Sequence, residues 1–127
     1  MNGKIRLPSK KIPLNNFQLE KYGEKMGIPH FQKVCCINEL PKVPKNNENR
    51  ILNLDSSDGN GTHWIAYHKN SKNVLYYDPI GNVAPPSVIL NYFQGCNVFY
   101  NRISDQKLGT VNCGHLCLKF LKGISSY

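Results

Sequence analysis

Cys113 stands where a polar loop gives way to a helical pattern, and Gln106 lies seven positions upstream. Fifty residues before the cysteine, His63 opens the β-rich run Thr62-His63-Trp64-Ile65-Ala66-Tyr67. The following run, Val74-Leu75-Tyr76-Tyr77-Asp78, finishes on an aspartate. A thiol needs a base to become a good nucleophile, and the base needs an acid to orient it. The tetrahedral oxyanion that results from attack on a carbonyl needs hydrogen-bond donors. One candidate for each role is present, each at the end of a secondary-structure element. The chemistry these residue types suggest is covalent thiol catalysis.

Each residue also has a plainer use. A cysteine on the apolar face of a helix is usually a small core residue, and Cys117, one turn beyond Cys113, fits that description better. Cys113 differs because the partial positive charge of a helix N-terminus stabilises a thiolate. Gly114 beside it lacks a side chain where a substrate backbone would approach. His63 follows the glycine-rich stretch Gly59-Asn60-Gly61, which suits an accessible base. His30, His68 and His115 read as structural or exposed, with His115 pointing away from Cys113 on the helix. Asp78 would accept the Nδ1–H of His63, or it would simply cap the turn at Pro79-Ile80-Gly81. Gln106 would offer its side-chain amide to the oxyanion together with the backbone N–H of Cys113.

The competing chemistry is a metal site. Cys113, His115 and Cys117 lie within five residues, and Cys35 and Cys36 would complete a zinc set. A C-x-H-x-C pattern opening a helix fans its side chains apart, however, and no C-x₂-C knuckle is present, so the reading is of no metal.

Positioning these groups requires a sheet with helices against it. A helix is expected over Phe17–Met26, capped by Asn15 or Asn16 and stopped by Gly27 and Pro29, with Leu19, Tyr22 and Met26 at helical spacing. Residues 30–41 contain a brief extended run, and Lys42–Asn49 reads as a loop. Ile51–Leu54 reads as a buried strand, and residues 55–61 as turn chemistry. The runs 63–68 and 74–77, joined by Lys69–Asn73, predict an antiparallel hairpin. That hairpin would set His63 and Asp78 opposite one another at one sheet edge. Pro85 and Pro86 precede a short helix whose apolar face is Val88, Ile89, Tyr92 and Phe93. Asn97–Tyr100 is a further strand. In the last helix Leu116, Cys117, Phe120 and Leu121 share a face with Cys113. The expected class is α+β, a small mainly antiparallel sheet packed against helices, with residues 1–14 a basic irregular arm and 15–127 a single domain.

Bulk composition agrees with a self-sufficient core. The chain has 127 residues, 40% of them hydrophobic, and five cysteines, an odd number. With no signal-peptide pattern and no apolar run long enough for a membrane span, the expectation is free thiols in an intracellular setting and no membrane partner. The net charge of +8 arises from 16 basic and 8 acidic residues, concentrated in Lys4–Lys11 and Lys42–Arg50. Such a surface either contacts nucleic acid non-specifically through phosphates or is merely solvated.

The motifs taken together resemble the adenovirus-type (adenain-like) cysteine proteases and their compact relatives in DNA transposons and small DNA viruses. Their superfamily also contains the proteases of ubiquitin-like modifiers. The resemblance rests on Asn53-Leu54-Asp55, Gly61 to Tyr67, Tyr76 to Gly81 with Pro85-Pro86, Gln106, and Asn112 to Leu118. It implies His63 as general base, Asp78 as orienting acid, Cys113 as nucleophile, Gln106 as oxyanion donor, and Trp64 as a shelter for the site. It also implies endopeptidase action on viral or mobile-element precursor proteins, in the host nucleus or cytoplasm or packaged in virions. No cofactor is required on this reading, with DNA or a peptide as candidate activators. Two alternatives remain: removal of ubiquitin-like modifiers by the same centre, and a non-catalytic basic nucleic-acid-binding or virion structural module on the same fold.

Overall fold

The computed structural model describes residues 5–55, 63–107 and 109–125. Its elements are α1 (Asn16–Lys25), β1 (Cys35–Cys36), β2 (Asn47–Asn53), β3 (Trp64–Asn70), β4 (Asn73–Tyr77), α2 (Ser87–Tyr92), β5 (Asn97–Tyr100) and α3 (Cys113–Ile124), with a 3₁₀ turn at Ile37–Glu39 after β1. The turn expected at 55–61 falls almost wholly outside the described residues.

Local chemistry sets the helix limits. Asn15 Oδ1 accepts from Gln18 N–H at 2.9 Å while Gln18 Oε1 accepts from Asn15 N–H at 3.0 Å, a reciprocal cap that starts α1. At the other end Gly27 takes a φ of +68°, Gly27 N–H bonds Glu24 O, and Ile28 N–H bonds Gly23 O. This pair of bonds closes the helix and turns the buried Ile28 inward. Pro86, extended at φ −69°, precedes α2.

The strands form one sheet in the order β1-β2-β3-β4-β5. The three central strands are antiparallel, and each edge strand runs parallel to its neighbour. β3 and β4 are joined by a two-residue turn in which Ser71 has a φ of 56°. Side chains alternate between the faces. Ile51, Ala66 and Tyr77 meet α1 and α3, where Leu19, Cys117, Leu118 and Leu121 are buried. Leu52, Ile65, Tyr67, Val74 and Tyr76 meet Ile89 of α2 and Phe93 just after it. The result is an α+β sandwich with the sheet between α1/α3 and α2.

Three expectations change. β2 starts at Asn47, inside the stretch read as a loop, because Glu48, Asn49 and Arg50 are buried with hydrogen-bond partners and so pair as strand residues despite their polarity. Val88 is exposed, so the inward face of α2 is Ile89 and Tyr92, with Phe93 just beyond the helix. Residues 5–14 are irregular, yet Leu14 is buried and Leu7 packs on the core. Among the described residues, no helix is long and apolar enough to cross a membrane.

Candidate active site

Three element ends meet at one end of the central strands. Cys113 is the first residue of α3, His63 immediately precedes β3, and Asp78 immediately follows β4. The hairpin register pairs Ala66 with Tyr77, so His63 and Asp78 are not directly opposite. They are offset diagonally by two residues, and the imidazole spans the gap: His63 Nε2 and Asp78 Oδ1 lie 2.8 Å apart. The bonded nitrogen is therefore Nε2 and not the expected Nδ1. Cys113 acts on the same imidazole: each group shifts the other, the thiol downward and the imidazole upward.

Asp78 is 1% exposed, and its Oδ1 also accepts from Ile80 N–H at 3.0 Å. One carboxylate oxygen thus both caps the turn and holds the histidine, so the two readings of this residue coexist. Hydrogen bonding to Asp78, then to Cys113, raises the His63 imidazole from 6.5 to about 9 against the opposing effect of burial. For Cys113, burial pushes the thiol up. The His63 bond, the Trp64 N–H, the His63 charge and the Gly114 N–H outweigh it, and the thiol falls below its ordinary 9.0.

Trp64 ties this corner together. Its backbone N–H approaches Cys113 Sγ at 3.5 Å, and its carbonyl accepts from the Cys117 thiol, also at 3.5 Å. Its indole Nε1–H donates to Leu14 O at 3.0 Å. Two cysteines one helical turn apart therefore grip one residue of β3, and they separate in character. Cys117 is fully buried and its thiol is pushed well above 9.0 by burial, whereas Cys113 is lowered.

At Gly114 a Cβ would lie 3.1 Å from Leu19 Cδ2 and 3.4 Å from Leu14 Cβ, so the missing side chain makes room for the protein's own core. His115 does turn away from Cys113, but it is buried and donates through Nε2–H to Pro8 O at 2.9 Å. With Cys117 on Trp64 O, the residues of the C-x-H-x-C pattern take divergent partners. Among the described residues no group of three or more His, Cys, Asp or Glu is arranged to hold a metal ion.

Gln106 is brought to the neighbourhood by its backbone: its N–H and that of Asp105 both donate to Pro79 O, at 2.9 and 2.8 Å. Its side chain donates through Nε2 to Thr110 O at 2.9 Å, and its Oε1 is buried without a partner. Asn112, directly before α3, makes no side-chain cap, which leaves the first N–H groups of the helix without that acceptor.

Sequence reasoning gave no role to two residues beside the site. Asn101 grips the backbone of Asp78 with both ends of its amide. Asn53, fully buried, has an Nδ2 with no partner and lines a cleft of about 430 Å³ walled by Pro13–Asn16, Val34–Cys36, Glu39 and Trp64. A buried amide with one unmet donor is a signal only a structure can give.

No family model matches the sequence, and no curated protein matches it. Among solved structures, the crystal structure of the ASFV pS273R protease superposes with a TM-score of 0.58 at 16% identity, over 89% of this chain and 57% of that chain. The chain has the fold of this protease. It spans little more than half the length of that neighbour.

Proposed function

We propose that the chain is a cysteine endopeptidase in which Cys113 is the nucleophile, His63 the base and Asp78 the orienting acid. The observation that carries this reading is the His63–Asp78 bond at 2.8 Å beside a thiol at a helix N-terminus that His63 holds below its ordinary value. The fold shared with a protease supports it.

Cys113 and His63 rest as thiolate and imidazolium, and Asp78 stabilises the cation through Nε2–H. The thiolate attacks the scissile carbonyl carbon, a C–S bond forms, and the carbonyl electron pair moves onto oxygen. That oxyanion accepts from Cys113 N–H at the uncapped start of α3 and from Gln106, whose Nε2 carries a second hydrogen beyond the one given to Thr110. Collapse breaks the C–N bond as His63 protonates the leaving amine. Water then attacks the thioester and gives a proton to His63, and the C–S bond breaks to release the carboxylic acid and restore the ion pair. The cleft beside Trp64, with an apolar floor and the Asn53 donor, suits an extended peptide whose backbone carbonyl meets Nδ2. By the adenovirus-type resemblance, we infer precursor proteins of a virus or mobile element as the substrate class.

The purified chain should cut a proteome-derived peptide mixture at defined sites read by mass spectrometry, and Cys113→Ala should not. A thiol-directed probe should label Cys113 before Cys35, Cys36 or Cys96. Cleavage that persists in Cys113→Ala would sink the assignment.

A further inference from the structure

The sheet stops supporting Asp78 one residue too early. β4 ends at Tyr77, and the last registered pair with β5 is Tyr76 with Tyr100. Beyond that point a side chain continues the pairing. Asp78 N–H donates to Asn101 Oδ1 at 2.9 Å, and Asn101 Nδ2 donates to Asp78 O at 2.7 Å. The other Nδ2 hydrogen goes to Ile103 O at 3.1 Å, and the backbone carbonyl of Asn101 accepts from Asn82 N–H at 2.9 Å. One residue thereby joins the end of β5, the 78–82 turn and the 101–107 loop. The loop is pressed on the turn closely enough that a Cβ at Gly81, φ +85°, would lie 2.5 Å from Ser104 N.

We propose that Asn101 is a positioning residue for the reaction: its amide sets the backbone from which Asp78 reaches His63, and seats the loop that carries Gln106. An aspartate has a one-carbon stem, so a backbone shift at residue 78 is passed almost undiminished to Oδ1. That oxygen must meet His63 Nε2 at 2.8 Å and Ile80 N–H at 3.0 Å together. A displacement of about 1 Å in such a constellation costs on the order of 100-fold in rate. The kinetic part of the proposal rests on the protease reading, whereas the geometric part does not.

The groups acting on the His63 ring are Asp78 and Cys113, and Asp78 is in turn felt by Tyr76, Tyr77 and Cys117. All of them remain in Asn101→Ala. The first measurement is therefore the His63 titration by NMR in the full chain carrying Cys113→Ala, which requires no turnover. Adding Asn101→Ala should move the midpoint toward the ordinary histidine value by about one pH unit or more. With Cys113 restored, Asn101→Ala should lower kcat by about 100-fold and change KM by less than about threefold. Asn101→Leu keeps the volume of the side chain and loses both bonds to Asp78 without adding a charge. It should shift the titration in the same direction, and it serves if the alanine variant does not fold. Asn97→Ala, which loses only a 3.2 Å bond to Asn73 at the far end of β5, should leave both readouts unchanged. A folded Asn101 variant in which His63 titrates as in the parent overturns the proposal, even if kcat falls. A shifted titration in a chain that cuts no peptide upholds the positioning and instead removes the protease reading.

Discussion

Two buried polar clusters lie on this sheet, and they are built to opposite standards. On the α2 side, Glu48 Oε1 accepts from Tyr67 OH at 2.5 Å and Tyr92 OH at 2.8 Å, and Oε2 accepts from Lys45 N–H at 3.1 Å. Arg50 Nε donates to Tyr67 OH at 2.7 Å and Nη1 to Lys33 O at 2.6 Å. Its side chain and that of Glu48 are 4% and 1% exposed. At the other site, the His63 side chain is 21% exposed, Asn112 leaves α3 uncapped, and Gln106 Oε1, Asn112 Oδ1 and Asn53 Nδ2 are buried without partners. A closed network has no group left to give to a ligand, so it holds β2, β3 and α2 together. An open one carries desolvated, unmatched groups at a cost in stability, which is the form a reaction site takes.

Breaking each cluster should therefore give different losses. Cys113→Ala or His63→Ala should lower kcat/KM by about 10⁴-fold or more while the unfolding midpoint moves little. Glu48→Ala should do the reverse. It strands Arg50 and two phenols in the interior and should remove about 3–5 kcal/mol of stability in denaturant titrations, with kcat per folded molecule near the parent value. An inactive but fully stable Glu48→Ala protein would erase the distinction between the two clusters.

The sequence made one cluster far more legible than the other. Cys113, His63 and Asp78 sit at element ends that periodicity locates well: β3 begins at Trp64, β4 ends at Tyr77 and α3 opens at Cys113. The Glu48 cluster was invisible because Glu48-Asn49-Arg50 has loop composition. Only the phenols of Tyr67 and Tyr92, 17 or more residues away in sequence, make it a strand. The choice of Nε2 over Nδ1 at His63 was likewise out of reach, since it follows from the hairpin register, which depends on where the turn at Ser71 falls. Asn101 lies in a polar loop whose composition gives no hint that its amide replaces a missing sheet pair. His115 looked peripheral because its partner, Pro8 O, lies 107 positions away.

The Gln106 contribution sharpens the contrast at smaller scale. Its backbone is held by Pro79 O, so truncating the side chain should leave the loop in place. Gln106→Ala should lower kcat by about 10²–10³-fold with KM nearly unchanged, because the lost donor acts on charge that develops only in the transition state. A comparable loss expressed wholly in KM would assign Gln106 to substrate binding.

The smallest effect separates the clusters by pH. His63 is raised from 6.5 to about 9, first by its bond to Asp78 and then by Cys113. A raised base favours the folded state fully below the unfolded value of 6.5, and that contribution disappears as pH climbs through the folded value. Cys113 works the other way: its lowered value favours the folded state above its unfolded 9.0, and the gain is lost as pH falls through the folded value. Below pH 9 the two oppose each other, so the parent protein should show a muted change in Tm between pH 6.5 and 9. Cys113→Ala removes the opposing group and one of the causes that raise His63. In that variant Tm should decline visibly as pH rises from 6.5 toward, but not quite to, 9. Adding Asp78→Asn removes the main cause as well, and the slope should vanish. Scanning calorimetry at half-unit pH steps measures all three proteins. A slope in Cys113→Ala that survives Asp78→Asn would mean that some group other than this histidine–aspartate pair governs the alkaline stability of the fold.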